Sequence, residues 1–332
     1  MATLSLCMIV RNEEKWLSQC LDAAKPFVDE IIVVDTGSSD STMDIARRFG
    51  ATVVETPWEH DFSKAKNVAL ENATKDWILV LDADERVAAE DFKRLRTLMD
   101  ASGVDAFRLE LRNYVPKAGI GCVSCVPSDM TMQSRAYRPI KLVRLFRNMK
   151  GFRYEHRVHE MIENSIETAH GTISDGSIPI HHYGILHATN LRHKMRYYAW
   201  LVMKELEEHP DNVRALFMAG QFHHEQGKLD KALDHFMKAA KLSPPYKNVW
   251  FSIAGIHLEQ HSFESAMHAY EQSLLNNPDS PNAPMAVNNL AVLYGNAGRH
   301  DDARKLLEIA VKKFPNDAAI RKNAERFGLT VA

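Results

Sequence analysis

The sequence has few cysteines and no long apolar run, and each of these shortages argues against a class of protein. Four cysteines in 332 residues are too few for a disulfide framework. No stretch approaches the roughly 18 consecutive apolar residues of a membrane span. The apolar opening at residues 1–10 has no basic residue before it, and charged residues follow where a signal peptide would be cleaved. We therefore interpret it as a buried strand and expect the protein to be cytoplasmic.

An excess of charge of one sign is also lacking. The 41 Lys and Arg residues nearly balance the 43 Asp and Glu residues, which gives a formal net charge of −2. This balance provides no electrostatic footprint for nucleic acid. Hydrophobic residues make up 45% of the chain, which is typical of a globular protein, and the length favours about two domains.

Strand and helix patterns alternate through about the first hundred residues. Short, unbroken apolar strands are predicted at 4–10, 30–34, 51–55 and 77–81, with helices at 14–24, 41–49 and 65–73. This pattern predicts a parallel sheet covered on both faces, with its ligand beyond the carboxyl ends of the strands. Strand-like pieces separated by longer irregular stretches follow up to residue 182 and predict a second half with a mixed sheet.

A repeat begins near residue 190. Pro210, Pro244 and Pro278 recur 34 residues apart, and Pro315 follows after a slightly longer interval. Small residues, aromatics and helix-ending prolines recur at the positions of a tetratricopeptide repeat. We predict an α/β domain at 1–188 and an all-α repeat domain at 189–332. The repeat domain would contain a half-unit at 195–209, three repeats and a capping helix at 317–327.

Two carboxylates, Asp82 and Asp84, follow the predicted strand at 77–81. Such a pair can hold a hard divalent cation, Mg²⁺ or Mn²⁺, which neutralises the charge on a leaving diphosphate. The alternative is structural, with Asp84 or Glu85 opening the next helix.

Asp35 ends the predicted strand at 30–34 and precedes a turn that contains glycine. Its carboxylate can accept hydrogen bonds from a ribose or a base edge. The alternative is helix capping by Asp40 or Ser41, which we expect to contribute in any case.

Seven segments in order resemble the family 2 glycosyltransferases with the GT-A fold, which is Rossmann-like. The most similar branch carries tetratricopeptide repeats after the catalytic domain and includes enzymes that glycosylate bacterial peptides. The resemblance covers roughly residues 3–185 and, through the repeats, most of the rest. The segments are SLCMIVRNEE, DEIIVVDTGSSDST, DFSKAKN, DWILVLDADE, KLVRLFRN, FRYEHRVHE and IHHYG.

The resemblance implies roles for particular residues. Asp84 would ligate the metal, and His182 would be a further ligand, with His181 as the alternative. Lys66 stands where the family more often has arginine, so it keeps the charge but loses the bidentate fork. Nucleotide and substrate contacts are implied for Val10, Asn12, Glu13, Asp35, Lys66, Asn67 and Asp82.

The family reaction inverts the sugar and needs a general base that follows a strand in the second half of the domain. The matching segment is RVHEMI, so Glu160 is the candidate base and, with Asp84, a catalytic residue. The alternative is that Glu160 is an acid at a helix N-terminus.

Two further features invite weaker interpretations. Basic residues crowd the stretch from 135 to 157, and we favour solvated strand faces over an electropositive wall. Cys122 and Cys125 form a C-x-x-C pair, but without a second pair or a suitably spaced histidine we interpret them as ordinary thiols.

The resulting expectation is a metal-dependent inverting glycosyltransferase that moves a hexose from a nucleoside-diphosphate sugar, with UDP favoured. A peptide or protein acceptor, held partly by the repeats, is favoured over lipopolysaccharide core or another envelope glycan. A non-catalytic scaffold is the second alternative. A nucleotidyltransferase is disfavoured because residues 7–14 contain no glycine for a phosphate loop. A homodimer remains open.

Overall fold

The computed structural model describes residues 2–119, 121–148, 150–186 and 191–330. Contacts between Cα atoms divide the chain into two compact units, Met1–Arg196 and Tyr197–Ala332. The boundary predicted between 188 and 189 falls within 187–190, outside the described residues.

The first unit contains one mixed sheet, as the sequence predicted. Within the described residues its strand order is β3-β2-β1-β4-β8-β6-β9-β5, and β7 pairs with β8. The first four strands along the chain are parallel, and β8 is antiparallel to both β4 and β6. The strands are β1 Leu4–Val10, β2 Glu30–Asp35, β3 Thr52–Glu55, β4 Trp77–Val80, β5 Glu85–Arg86, β6 Ala106–Tyr114, β7 Val123–Ser124, β8 Ala136–Arg147 and β9 Ile173–His182.

The apolar strands are covered on both faces. Leu6 and Met8 of β1 belong to one hydrophobic cluster, whereas Cys7 between them belongs to another. Successive side chains of a strand point to opposite faces, so this alternation requires a packed layer on each side of the sheet. The double cover explains why these strands are unbroken apolar runs in the sequence.

The helices of the first unit connect the strands. They are α1 Leu17–Ala24, α2 Thr42–Arg48, α3 Phe62–Asn72, α4 Ala89–Met99 and α5 Glu163–Thr168. Helix α3 begins three residues before the predicted start because Asp61 caps it by accepting the Lys64 N–H at 3.0 Å. Helix α1 begins three residues after the predicted start, since Asn12 has a φ of 56° and the chain turns before Leu17.

Paired helices follow, as the tetratricopeptide pattern predicted. The pairing brings α7 to α8, α9 to α10 and α11 to α12. Ala232, Ala266 and Ala303 have no exposed surface, so small residues allow close helix approach. Among the described residues, no helix combines the length and apolar character needed to cross a membrane. The helices are α6 Leu191–Glu208, α7 Val213–Glu225, α8 Leu229–Leu242, α9 Val249–Glu259, α10 Phe263–Asn276, α11 Ala283–Asn296, α12 His300–Lys313 and α13 Ala318–Arg326.

Candidate active site

Asp35 ends β2 with one carboxylate oxygen engaged and the other without a partner. Its Oδ1 accepts the backbone N–H groups of Gly37 at 2.9 Å and Ser38 at 2.8 Å. The tight turn relies on Gly37, whose φ is +103°. Oδ2 is buried and has no hydrogen-bond partner among the described residues. A buried carboxylate oxygen without a partner is costly, so this atom is a strong candidate to accept a ligand's N–H or O–H group.

Of the two capping candidates, Ser41 is the N-cap residue of α2 but its side chain makes no capping hydrogen bond, whereas the Asp40 side chain does bond to the start of the helix. Asp40 Oδ1 accepts the backbone N–H of Thr42, the first residue of α2, at 3.0 Å. Asp40 therefore caps the start of α2, whereas the Asp35 carboxylate is buried and keeps one oxygen available for a ligand.

The segment after β1 is tied to the segment after β2. The Val10 carbonyl accepts the backbone N–H of Thr36 at 3.0 Å. Asn12 Oδ1 accepts the Ser39 N–H at 2.8 Å, and Glu13 donates its N–H to a threonine hydroxyl of α2 at 2.7 Å. These bonds hold Val10, Asn12 and Glu13 beside Asp35 at the carboxyl edge of the sheet.

Glu13 also faces the carboxylates that follow β4. Burial, reinforced by the negative charges of Asp84 and Asp82, raises the pKa of Glu13 to about 7. Three acidic groups therefore share one region, and a bound cation would relieve their repulsion.

The two carboxylates after β4 do not open a helix. Helix α4 begins later, at Ala89, and the acids of its first turn are Glu90 and Asp91. Asp82 and Asp84 keep part of their side-chain surface exposed, 39% and 25% respectively. The helix-opening alternative for Asp84 and Glu85 is therefore wrong.

Glu85 is fully buried in β5, and sequence reasoning gave it no role in the site. It accepts the Asp82 N–H at 2.9 Å and the Arg144 Nη2–H at 2.9 Å. Burial raises the pKa of Glu85 above the usual carboxylate range, although Arg144 opposes the shift. Glu85 thus fixes the backbone turn that presents Asp82 and Asp84.

Arg144 corrects our interpretation of the basic stretch. Most of that stretch is exposed or half-buried, as expected for solvated strand faces, but Arg144 is only 6% exposed. Its Nη2 also lies 3.5 Å from Asp82 Oδ2. Sequence alternation could not have shown this burial, because the pairing of β6 with β8 skips Arg144, with Phe107 opposite Leu145 and Arg108 opposite Val143. Leu142 and Phe146 accordingly pack in clusters on opposite faces of the sheet.

Lys66 is the second buried cation of the site. Its Nζ lies 3.8 Å from Asp82 Oδ1 and 2.6 Å from Glu160 Oε1. Burial would lower the pKa of Lys66, but Glu160 and Asp82 outweigh burial and raise it. Burial likewise opposes ionisation of Asp82, yet Lys66 and Arg144 hold the pKa of Asp82 below its usual range. Lys66 and Asp82 are therefore both charged at neutral pH.

Glu160 lies in an irregular segment rather than directly after a strand. The only pairing near it within the described residues is an isolated bridge between Glu155 and Met161. His156 and His159 have positive φ values of 75° and 51°, so an extended strand cannot form here. The predicted local structure was wrong. The helix alternative also fails, because α5 begins at Glu163 with Ile162 as its N-cap.

Asn67 positions the segment that leads to Glu160. Its Nδ2 donates to the Tyr154 carbonyl at 2.9 Å, and its Oδ1 accepts the Tyr154 N–H at 2.8 Å. The ring of Tyr154 in turn lies 5.2 Å from Lys66 Nζ. Both ends of the Asn67 amide are thus engaged with backbone, a role that sequence reasoning did not anticipate.

The two adjacent histidines of β9 have different surroundings. His182 Nε2 lies 3.4 Å from Asp84 Oδ2. His181 is buried against Tyr114, whose hydroxyl lies 2.7 Å from its Nδ1, and burial together with Arg112 lowers the pKa of His181 to about 4. His182, not His181, faces Asp84.

Asp84 Oδ2 and His182 Nε2 converge beside Gly184 and could share a small cation as its ligands. An added Cβ on Gly184 would lie 2.6 Å from Asp84 Oδ2 and 2.8 Å from His182 Nε2. Carboxylate and imidazole donors are suitable ligands for Mn²⁺ or Mg²⁺. Within the described ranges no three His, Cys, Asp or Glu side chains are grouped to hold a metal, so the remaining ligands would be phosphate oxygens or water.

Cys122 and Cys125 flank β7 and are both free thiols with intermediate exposure. Cys125 Sγ lies 3.4 Å from the Ser134 carbonyl oxygen. Nothing in this geometry favours a metal, and their interpretation as ordinary thiols stays a prediction.

Comparisons with known proteins match both units. The family model for glycosyl transferase family 2 matches residues 5–117, and models for tetratricopeptide repeats match residues 197–247 and 257–322. A TPR repeat-containing protein of Synechococcus elongatus is 32% identical over 330 residues, which cover 93% of this chain and 76% of that protein.

Other relatives match over smaller shares of their length. The SPbeta prophage-derived glycosyltransferase SunS of Bacillus subtilis is 27% identical over 71% of this chain, and the match spans only 53% of SunS. Glucosyl-3-phosphoglycerate synthase from Mycobacterium tuberculosis, solved with Mn²⁺, UDP and glucosyl-3-phosphoglycerate, is 25% identical over 33% of this chain and 44% of that chain, with a TM-score of 0.30. The MamA protein aligns over 41% of this chain and 73% of its own, with 17% identity and a TM-score of 0.36.

Proposed function

Because the chain belongs to the family 2 glycosyltransferases and carries tetratricopeptide repeats, we propose that it moves a hexose from a UDP-sugar to a peptide or protein, with inversion. The observation that carries this proposal is the pairing of Asp84 with His182 beside Gly184, where a Cβ would collide with both of their ligand atoms. The Asp35 carboxylate, with its unpartnered oxygen, ends β2 in the same sheet.

The nucleotide would bind at the exits of β1 and β2. Asp35 Oδ2 accepts a hydrogen bond from the base or the ribose, which removes the cost of leaving that oxygen buried and alone. Val10, Asn12 and Glu13 form the adjoining wall, and Asp82 faces the ribose. The tie between the β1 and β2 exits keeps this wall in place before the donor arrives.

Asp84 and His182 would hold Mn²⁺ or Mg²⁺, which supplies positive charge against the diphosphate as it leaves. Buried Lys66 and Arg144 add fixed positive charge close to Asp82. A charge held in place before the reaction stabilises the developing negative charge without reorganisation.

Glu160 would act as the general base. The acceptor oxygen or sulfur forms a bond to the anomeric carbon of the sugar, and the bond from that carbon to the diphosphate oxygen breaks. The acceptor proton goes to Glu160, and UDP leaves. Lys66 keeps the carboxylate in position through the 2.6 Å contact.

The acceptor class rests on the repeats. Arrays of this kind offer extended surfaces that commonly bind peptides, which favours a peptide or protein over lipopolysaccharide core or another glycan. The cytoplasm remains the expected compartment.

The test combines a donor screen with one substitution. Purified protein with Mn²⁺ is screened against UDP-sugars for transfer and for donor hydrolysis, and the best donor is used to compare Asp84→Asn with the wild type. We expect kcat/KM to fall by roughly 100- to 1,000-fold, because the charge that opposes the leaving diphosphate is no longer held in place.

Asp22→Asn, on an exposed position of α1, is the matched control and should leave transfer unchanged. Full activity of Asp84→Asn would remove Asp84 from the reaction. A wild-type protein that neither transfers sugar nor binds a UDP-sugar in a metal-dependent way, measured by calorimetry, would favour the scaffold alternative.

A further inference from the structure

Three neighbouring strands bring a row of polar residues to His182. In the sheet, Asn113 of β6 is paired with Arg138 of β8 on one side and with His182 of β9 on the other. Asn113 is only 6% exposed. Its Nδ2 donates to the Arg138 carbonyl oxygen at 3.2 Å, and its Oδ1 lies 2.6 Å from His182 Nδ1.

This row determines which nitrogen of His182 carries hydrogen. The Arg138 carbonyl can only accept, so it fixes the Asn113 amide with the nitrogen toward Arg138 and the oxygen toward His182. The Asn113 oxygen can also only accept, so His182 Nδ1 must donate. In the neutral ring Nε2 then keeps its lone pair and presents it to Asp84 Oδ2 at 3.4 Å.

Two acceptors that face each other at this distance repel unless a proton or a metal ion lies between them, and a metal ion at this position would take both atoms as ligands. Gly184 adjoins the same gap, since any Cβ at that position would lie within 3 Å of both acceptor atoms. The backbone of Gly184 lies outside the positive-φ region, so alanine would not strain the backbone there. A side chain at this position would instead collide with the two ligand atoms.

We propose that Asn113 is a positioning residue that holds His182 as an Nε2 metal ligand, and that Gly184 keeps the space for the ion open. The inference rests on the metal site of the proposed function and deepens it. Partners of this kind around metal-bound histidines fix ring orientation and tautomer, and their loss typically costs about 10- to 100-fold in metal affinity.

The first experiment measures Mn²⁺ binding to the full chain by electron paramagnetic resonance, without any donor sugar. Asn113→Leu, which keeps the volume but removes the acceptor, should weaken Mn²⁺ binding by about 10- to 100-fold. Asn113→Asp keeps an acceptor for Nδ1–H but loses the bond to the Arg138 carbonyl, so it should restore part of the Mn²⁺ affinity that Asn113→Leu loses. Gly184→Ala should weaken binding by at least about tenfold, because its methyl group displaces the ligand atoms.

Matched controls separate this effect from a general disturbance. Asn72→Leu changes an exposed asparagine on α3 whose amide bonds only within its own helix among the described residues, and Mn²⁺ affinity should not change. Gly255→Ala adds a methyl in α9, where it would meet no described atom within 4 Å apart from its chain neighbours and the backbone of its own helix, and should also leave binding unchanged. Equal Mn²⁺ affinity of wild type and Asn113→Leu would overturn the inference while leaving the metal role of Asp84 intact.

A second measurement needs no metal and no variant of Asn113. Nitrogen NMR of the metal-free protein, at a pH where the ring is neutral, should give His182 a protonated Nδ1 and an unprotonated Nε2. The His182 signals are assigned by their loss in His182→Gln. A protonated Nε2 would overturn the inference, and absence of Mn²⁺ binding by the wild type would overturn both it and the metal role in the proposed function.

Discussion

The two units bury different kinds of side chain. The first unit buries charged residues close to one edge of its sheet, among them Asp35, Lys66, Glu85 and Arg144. The second unit buries mainly alanines and aliphatic side chains, and its best-buried polar pair is neutral, with Ser273 donating to Asn248 at 2.8 Å. Buried ion pairs contribute little net stability, so stability alone does not explain the charges of the first unit. The contrast indicates that the first unit buries charged side chains for its chemistry, whereas the second unit buries apolar side chains that fix its helix packing.

The largest expected effect breaks the buried charge of the first unit. Arg144→Met removes the positive charge that pairs with Glu85 at 0% exposure, and the free energy of unfolding of this unit should fall by about 3–5 kcal/mol. Hydrogen exchange in β4 and β8 under native conditions measures the change. The double variant Arg144→Met with Glu85→Leu removes both charges and should be clearly less destabilised. If the single and double variants were equally stable, the pair would not be a coupled buried charge.

An intermediate effect probes shape in the second unit. In Gly220→Ala the new Cβ would lie 2.6 Å from the ring of Phe236, which is enclosed and only 1% exposed. We expect a loss of about 1–3 kcal/mol from overpacking, partly offset by the better helix propensity of alanine. Urea unfolding measures it, with Gly255→Ala as the helical control that has open space. A Gly220→Ala protein as stable as the control would show that this contact can relax.

The smallest effect concerns pH. The rings of His223 and His235 stack with centroids 5.3 Å apart, and neither Nδ1 has a partner among the described residues. Burial, then nearby lysines for His223 and His223 itself for His235, lower the pKa of both rings. A lowered pKa means that the folded state binds fewer protons than the unfolded state, so stability should fall as pH drops below about 6.5.

His235→Phe keeps an aromatic ring but cannot titrate. The melting temperature of this variant should decrease less than that of the wild type between pH 7 and pH 5, as followed by circular dichroism. If the melting temperatures of the two proteins decreased equally between pH 7 and pH 5, the histidine pair would not be a source of the pH dependence.

The sequence predicted the parallel half of the sheet well, because double-sided burial leaves an unambiguous apolar run. Strand β1 has the predicted bounds, and β2 and β4 each differ by one residue at one end. The repeats were predictable for a similar reason, since each depends on local spacing of small residues and prolines. Helix α3 shows the limit, because its start is decided by one side-chain cap at Asp61.

The parts of the site that sequence reasoning missed depend on pairing between distant strands. Glu85 meets Arg144 across 59 positions, and Asn113 meets His182 across 69. Register between such strands cannot be read from local periodicity. Glu160 is a different case. The family pattern implied a strand before it, but His156 and His159 have positive φ values that prevent an extended strand there.

Lys66 has a consequence that extends beyond its contacts. Its ammonium group lies 3.8 Å from Asp82, on the proposed donor side, and 2.6 Å from Glu160, the proposed base. When Glu160 takes up the acceptor proton, as proposed, Lys66 loses one of its two counterions at the moment when the diphosphate gains charge. The positive charge of the same ammonium group would then be less neutralised by Glu160 and would interact more strongly with the departing diphosphate. Activation of the nucleophile and stabilisation of the leaving group would therefore rise together, synchronised by a single side chain.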